Sequence, residues 1–124
     1  MPTIALLSAA LLCWVLGAAH SWLGETRLLH PLLAERAGML ARSRFAGSTL
    51  RWAWHLTTIA WCGLGAILAA LALSPAAFQL RAMLIALAAT FLATAAVIAL
   101  SSRWKHFAWP LFMAMAGLSL VPLL

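Results

Sequence analysis

The chain has little charge and almost no acid. Of its 124 residues, 8% are charged and only two are acidic, while aspartate and tyrosine are absent. A soluble domain draws roughly a quarter of its residues from Asp, Glu, Lys and Arg, and a disordered chain needs low hydrophobicity. Here 66% of the residues are apolar and the mean hydropathy is +1.04. The composition therefore excludes both classes and indicates a membrane protein without a large extramembrane domain.

The same scarcity limits enzymatic chemistry. Four histidines and two glutamates, mostly outside the apolar runs, supply too few ligands for two irons held in a helix bundle. A hydrolytic triad is not expected, because aspartate is absent and Ser21 is the direct neighbour of His20 in the sequence. Cys13 and Cys62 lack a Cys-x-x-Cys motif, so they are interpreted as a disulfide or as small packing residues. The chain is not expected to be an enzyme.

Long apolar runs dominate the chain. A bilayer core of about 30 Å needs about 20 apolar residues in a helix. Four such runs occur, near 3–23, 52–73, 83–101 and 107–124, and they lack the alternation of a barrel strand. The sequence predicts an all-α integral membrane protein, a four-transmembrane-helix bundle that forms one membrane domain over 1–124.

The basic residues are distributed unevenly between these runs. The first connection carries Arg27, Arg36, Arg42, Arg44 and Arg51, the second carries Arg81, and the third carries Arg103 and Lys105. By the positive-inside rule, the long basic loop after helix 1 faces the cytoplasm and both termini are periplasmic. This topology predicts a multi-pass protein of the bacterial inner membrane. The net charge of +6 is expected to contact anionic lipid headgroups, and no nucleic-acid module is present.

All four histidines lie toward the predicted cytoplasmic side. His20 ends helix 1, His30 lies in the basic loop, His55 begins helix 2 and His106 begins helix 4. Ionisable side chains at membrane depth are costly, so they are candidates for function.

The first two helices carry mirrored motifs, Cys13-Trp14 before His20 in helix 1 and Trp61-Cys62 after His55 in helix 2. In antiparallel helices this order places the two histidines at one level and the two cysteines about 10.5 Å deeper. That separation excludes a single tetrahedral zinc site made of all four side chains.

The level of His20 and His55 is the candidate cofactor site. The pair could hold a transition metal or supply both axial ligands of a haem, and His106 could join it from helix 4. Glu25 is the nearest carboxylate, and it would orient a ligating ring or pair with an arginine. Two other interpretations remain open, namely an interhelical hydrogen bond that fixes packing and a path for protons or substrate.

Three segments resemble an uncharacterised group of small four-helix bacterial inner-membrane proteins. They are AHSWLGE at 19–25, RWAWHLTTIAW at 51–61 and HFAWPLF at 106–112. The resemblance covers about a quarter of the chain and implies the four-helix topology. It directs attention to His20, Glu25, His55 and His106, and it implies no mechanism.

Three functions follow as hypotheses. The first is a protein that binds haem, a metal or another small ligand at the histidine cluster. The second is an accessory or assembly subunit of a larger membrane complex, or a homo-oligomer, in which Ala86, Thr90 and Thr94 of helix 3 form a small-residue contact face. The third is transport or proton transfer, because imidazole exchanges protons near cytoplasmic pH. Discontinuous helices or a midplane charge would favour the third hypothesis, and the sequence alone shows neither.

Overall fold

The computed structural model describes residues 2–35, Gly38 and 43–124, and the chain in these ranges is helical without β-strands. The α-helices are α1 (Pro2–Leu23), α2 (His30–Glu35), α3 (Arg44–Leu73), α4 (Ala76–Ser101) and α5 (Ala108–Leu120). A π-helical segment, Gly24–Leu29, joins α1 to α2, and a 3-10 turn, Val121–Leu123, follows α5. The predicted all-α class is confirmed.

Three helical stretches are long and apolar enough to cross a membrane. They are Thr3–Glu35, which runs through the π-helical segment, Arg44–Leu73 and Ala76–Ser101. The fourth predicted span, Ala108–Leu123, is apolar but shorter. At 1.5 Å per residue it rises about 24 Å, which is less than the hydrocarbon thickness of a typical bilayer.

The helices extend beyond the apolar runs that predicted them. Helices expected to begin near 52 and 83 begin instead at Arg44 and Ala76, because hydropathy marks the apolar turns and not the polar turns that precede them. The Ser43 hydroxyl accepts a hydrogen bond from the Ala46 N–H at 3.2 Å and so caps α3.

Much of the predicted basic loop is therefore helical, over 24–35 and 44–51. Two of the arginines counted there, Arg36 and Arg42, lie outside the described residues.

Each long helix packs on the one that follows it in the sequence. The extensive contacts join α1 to α3, α3 to α4, and α4 to α5. Small residues allow close approach. A Cβ at Gly63 of α3 would overlap the side chain of Thr90, and Thr94 is buried one turn further along α4. Thr90 of the predicted small-residue stripe therefore lies against α3.

The interface between α1 and α3 positions the histidines. The two helices are antiparallel, so Gly17 of α1 contacts Thr58 and Gly24 contacts the Trp54 indole. In this register Ser21 and Glu25 of one helical stretch lie opposite His55 of the other.

Candidate functional site

His55 is bonded through both of its ring nitrogens to the neighbouring helical stretch. Its Nδ1 lies 2.8 Å from the Ser21 hydroxyl, and its Nε2 lies 3.2 Å from Glu25 Oε2. Ser21 and Glu25 are four residues apart, which places them on one helix face about one turn from each other. A ring on α3 can therefore reach both side chains at once.

Glu25 links the ring to a cation. Its Oε1 accepts from Nη2 of Arg51 at 2.8 Å while Oε2 faces His55. Arg51 and His55 are themselves four residues apart on α3, so two facing pairs of side chains form the site. The Arg51 and Glu25 side chains are 39% and 34% exposed, and that of His55 is 26% exposed. The charged end of the site is thus accessible, and an ion pair this exposed contributes only about 1 kcal/mol or less.

Two hydroxyls extend the site on the other side of the ring. The oxygens of Ser21 and Thr58 are 2.7 Å apart, and the Thr58 hydroxyl donates to the Gly17 carbonyl at 3.3 Å. A continuous hydrogen-bonded chain therefore leads from a partly exposed ion pair to a backbone carbonyl of α1. We call this set the His55 network; its members are Ser21, Glu25, Arg51, His55 and Thr58.

The π-helical segment begins at the network. The His30 N–H donates to the Glu25 carbonyl five residues earlier, where an α-helix would use a spacing of four. Such a segment rotates the side chains that follow it relative to the preceding helix. Glu25 lies in this segment, and Gly24 at its start gives the Trp54 ring space to approach.

His20 lies among aromatic rings. Its ring is stacked on Trp54 with centroids 4.4 Å apart and an interplanar angle of 4°, and it is tilted against Trp61 at 5.1 Å. The Trp54 indole N–H also donates to the His20 carbonyl at 3.1 Å. His20 Nε2 is buried and has no hydrogen-bond partner within the described residues.

His106 lies away from the network. Its Nδ1 accepts from the Ala108 N–H at 3.1 Å, and its own N–H donates to the Ser102 hydroxyl at 3.3 Å. The side chain therefore caps the start of α5 and lines a cavity beside α3. The structure brings Glu25, His55 and the backbone of His20 to one interface but places His106 at another.

The two predicted ligands of the metal or haem site, His20 and His55, differ in whether their ring nitrogens are already hydrogen-bonded. In the parts of the chain that the structure describes, no group of three or more His, Cys, Asp or Glu side chains is placed to hold a metal ion. Both nitrogens of His55 are engaged, whereas Nε2 of His20 is not. The thiols of Cys13 and Cys62 are free, so the disulfide alternative is wrong.

Sequence reasoning missed two members of the network, Ser21 and Thr58, and named Arg51 only as one of three arginines that could pair with Glu25. Ser21 was set aside because it neighbours His20, yet it contacts His55 of another helix. The useful signal was the repeated spacing of four residues, Ser21 to Glu25 and Arg51 to His55, on two antiparallel helices. Thr58 follows one turn after His55 by nearly the same spacing.

The fold and the site define an all-helical protein with three helices of membrane-spanning length and a partly buried network of histidine, carboxylate and hydroxyl groups. No protein family, curated protein or solved structure matches the chain. What the protein does has to be inferred from the chemistry of these side chains.

Proposed function

We propose that this chain is a multi-pass protein of the bacterial inner membrane and that its His55 network takes up a proton from the cytoplasmic side through Glu25, as the entry step of a proton path across the membrane. Three helices of spanning length and high hydropathy support the membrane assignment. The basic residues concentrate at the end of the fold that holds the network, and Arg81 lies at the other end. By the positive-inside rule, this asymmetry supports a cytoplasmic network and periplasmic termini.

One observation carries the proton assignment, namely that each nitrogen of His55 faces a different kind of partner. When the ring is neutral, its Nε2–H donates to Glu25 and its Nδ1 accepts from the Ser21 hydroxyl. When the ring is protonated, both N–H groups donate, to the carboxylate and to the Ser21 oxygen. The Ser21 hydrogen then turns toward Thr58, whose own hydroxyl donates to a backbone carbonyl.

This arrangement accepts a proton without losing a contact. A buried donor or acceptor left unpaired costs about 1–3 kcal/mol, and that cost normally resists a change of protonation. In the His55 network the change requires only the rotation of hydroxyl groups. Glu25 remains next to the ring in both states, and it can exchange protons with water because it is partly exposed.

The π-helical segment supports the same class of function. Turns of π-helix occur frequently at functional sites. Here the π-helical segment covers Gly24–Leu29 and so includes the carboxylate that faces His55.

Proton flux into vesicles tests the proposal. Purified protein is reconstituted into liposomes that contain a pH-sensitive dye, and a potassium diffusion potential is imposed. We expect flux above that of protein-free vesicles, its reduction to that level by His55→Gln, and no change with His30→Gln, an exposed histidine outside the network. Ser21→Ala should reduce the flux, and Ser21→Thr should restore it because the hydroxyl is retained.

The contrary result is equally clear. If inserted, helical wild-type protein gives no more flux than protein-free vesicles, the network does not transfer protons. The contacts of His55 would then act as an interhelical hydrogen-bonded clamp, as expected for an accessory or assembly subunit of a larger membrane complex.

A second candidate, ligand binding, rests on His20. Its buried Nε2 lies beside two indoles and has no partner within the described chain, so it can serve as one ligand of a metal or a haem iron. An absorption spectrum and elemental analysis of one purified fraction test this function. A Soret band or a stoichiometric metal that disappears in His20→Ala would favour ligand binding, and a colourless, metal-free protein would contradict it.

A further inference from the structure

A cavity of about 590 Å³ opens between the first turns of α3 and the connection from α4 to α5. It lies at the same end of the fold as the His55 network but shares no side chain with it. Its volume is within the range of pockets that bind small organic ligands, about 300–1,000 Å³. The cavity is therefore large enough for a ligand with both a polar group and an apolar part.

The polar part of the cavity wall is cationic. Arg44 contributes from α3, and Arg103 and Lys105 contribute from the connection, with His106 beside them. The hydroxyls of Ser48 and Thr49 line the same cavity from α3. Cations and hydroxyl donors in one cavity are the groups that bind phosphate oxygens.

These cations have no carboxylate partner within the described residues. The only acidic residues of the chain are Glu25 and Glu35, and neither lines the cavity. Glu25 is already paired with Arg51 and His55. The positive charge of the cavity is thus left for a ligand to balance.

The remaining wall is apolar. Phe45, Trp52 and Leu56 of α3 and Ile98 of α4 line it. Phe45 is 69% exposed, and Trp52 is 38% exposed, so large apolar surfaces stand beside the cationic wall. A free phosphate ion would leave this surface uncovered, whereas a lipid would place acyl carbon against it.

The backbone of the connection from α4 to α5 is strained at Arg103, one of the cationic residues of the cavity wall. The N–H groups of Arg103 and Trp104 donate to the carbonyls of Leu100 and Ala99, which closes the end of α4 as a Schellman motif. The residue after the cap in this motif is usually glycine, but here it is Arg103 with φ of 51°, and Trp104 follows with φ of 65°. A left-handed conformation costs a non-glycine residue about 1–2 kcal/mol. Arginine therefore occupies a position where glycine would be more stable.

We propose that this cavity binds the phosphate group of an anionic lipid, with the cationic wall on the phosphate and the apolar wall on the acyl chains. The proposal is independent of proton transfer by the His55 network, because it depends on different side chains. It assigns a defined lipid site to a protein whose other basic residues would attract headgroups only by general electrostatics.

Native mass spectrometry of the purified full chain with added lipid tests the site. We expect phosphatidylglycerol to bind about tenfold more tightly than phosphatidylcholine, because the choline cation of phosphatidylcholine balances its own phosphate and would lie beside the cationic wall, and the loss of one charge-assisted contact is worth about that factor. The double variant Arg103→Gln with Lys105→Gln should lose this preference. Arg27→Gln is the matched control, because Arg27 is exposed, lies at the same end and does not line the cavity.

Further experiments distinguish binding of a lipid from binding of free phosphate, and loss of the binding site from loss of the folded structure. Phe45→Ala should weaken phosphatidylglycerol binding, and millimolar inorganic phosphate should not displace the lipid. Arg103→Lys with Lys105→Arg preserves both charges and should retain binding. The proposal is overturned if Arg27→Gln weakens binding as much as the double variant does, if the two lipids bind equally, or if inorganic phosphate displaces phosphatidylglycerol.

Discussion

Replacement of Gly24 by alanine tests the interface that positions the site. A Cβ at this position would overlap the Trp54 indole. The indole cannot simply rotate away, because its N–H donates to the His20 carbonyl at 3.1 Å and its ring is stacked on the His20 ring. The substitution therefore has to displace Trp54 or separate the two helices.

The sign of the effect follows from the magnitudes of opposing terms. Alanine is favoured over glycine within a helix by about 1 kcal/mol. Overpacking a closely packed interface costs about 1–3 kcal/mol, and loss of the Trp54 hydrogen bond costs about 1 kcal/mol more. We expect Gly24→Ala to destabilise the protein by about 2 kcal/mol and to weaken the contact between His55 and Glu25.

Reversible unfolding in detergent, followed by circular dichroism, measures this difference. Gly117→Ala is the control, because a Cβ at Gly117 meets nothing within 4 Å, so that variant should be neutral or more stable by up to about 1 kcal/mol. In a Trp54→Leu background the cost of Gly24→Ala should largely disappear. If Gly24→Ala is as stable as the wild type while Gly117→Ala behaves as expected, the close approach of Gly24 and Trp54 is refuted.

Three further substitutions have defined outcomes. Ser21→Ala should destabilise the protein by about 1 kcal/mol in unfolding measurements, because two hydrogen bonds are lost and a hydrogen bond between membrane helices averages about 0.6 kcal/mol. Unchanged stability would contradict the contact between Ser21 and His55. Glu25→Gln should cost about 1 kcal/mol at low salt and less at high salt, because its partner Arg51 is exposed, and a salt-independent loss would contradict this ion pair. Arg103→Gly should stabilise the protein by about 1 kcal/mol through relief of the left-handed strain while it reduces lipid binding, and a destabilised variant would argue against that strain.

Hydropathy and helix geometry predicted the all-α class, and each of the four predicted apolar runs overlaps a helix of the structure. The errors were at the polar ends. Hydropathy predicts a loop over Arg44–Arg51, because this segment lies outside the apolar runs. The structure shows that it is helical, since Ser43 caps the helix and the backbone hydrogen bonds of α3 continue through it. A helix needs satisfied backbone groups and not apolar side chains, so hydropathy underestimates helices that project beyond the apolar region.

The site was predicted in part. Mirrored motifs on antiparallel helices correctly brought the His20 and His55 regions to one level, and Glu25 was correctly named as the neighbouring carboxylate. The ring partners could not be predicted, because they depend on the rotation of each helix and on the π-helical segment. A small rotation of either helix would change these partners. On α1, Ser21 contacts His55, whereas the preceding residue, His20, stacks on an indole.

The two polar sites at this end of the fold differ in how their charges are balanced, and this difference separates their functions. In the His55 network each ring nitrogen and each carboxylate oxygen has a partner within the chain, and the proposed proton binding rests on these contacts. In the cavity, Arg44, Arg103 and Lys105 face no carboxylate among the described side chains, so an anion has to come from outside. Arg103→Gln should therefore change lipid binding but not proton flux, and His55→Gln should do the reverse. Loss of both properties in either variant would show that the two sites act together, and the independence inferred from their separate side chains would be wrong.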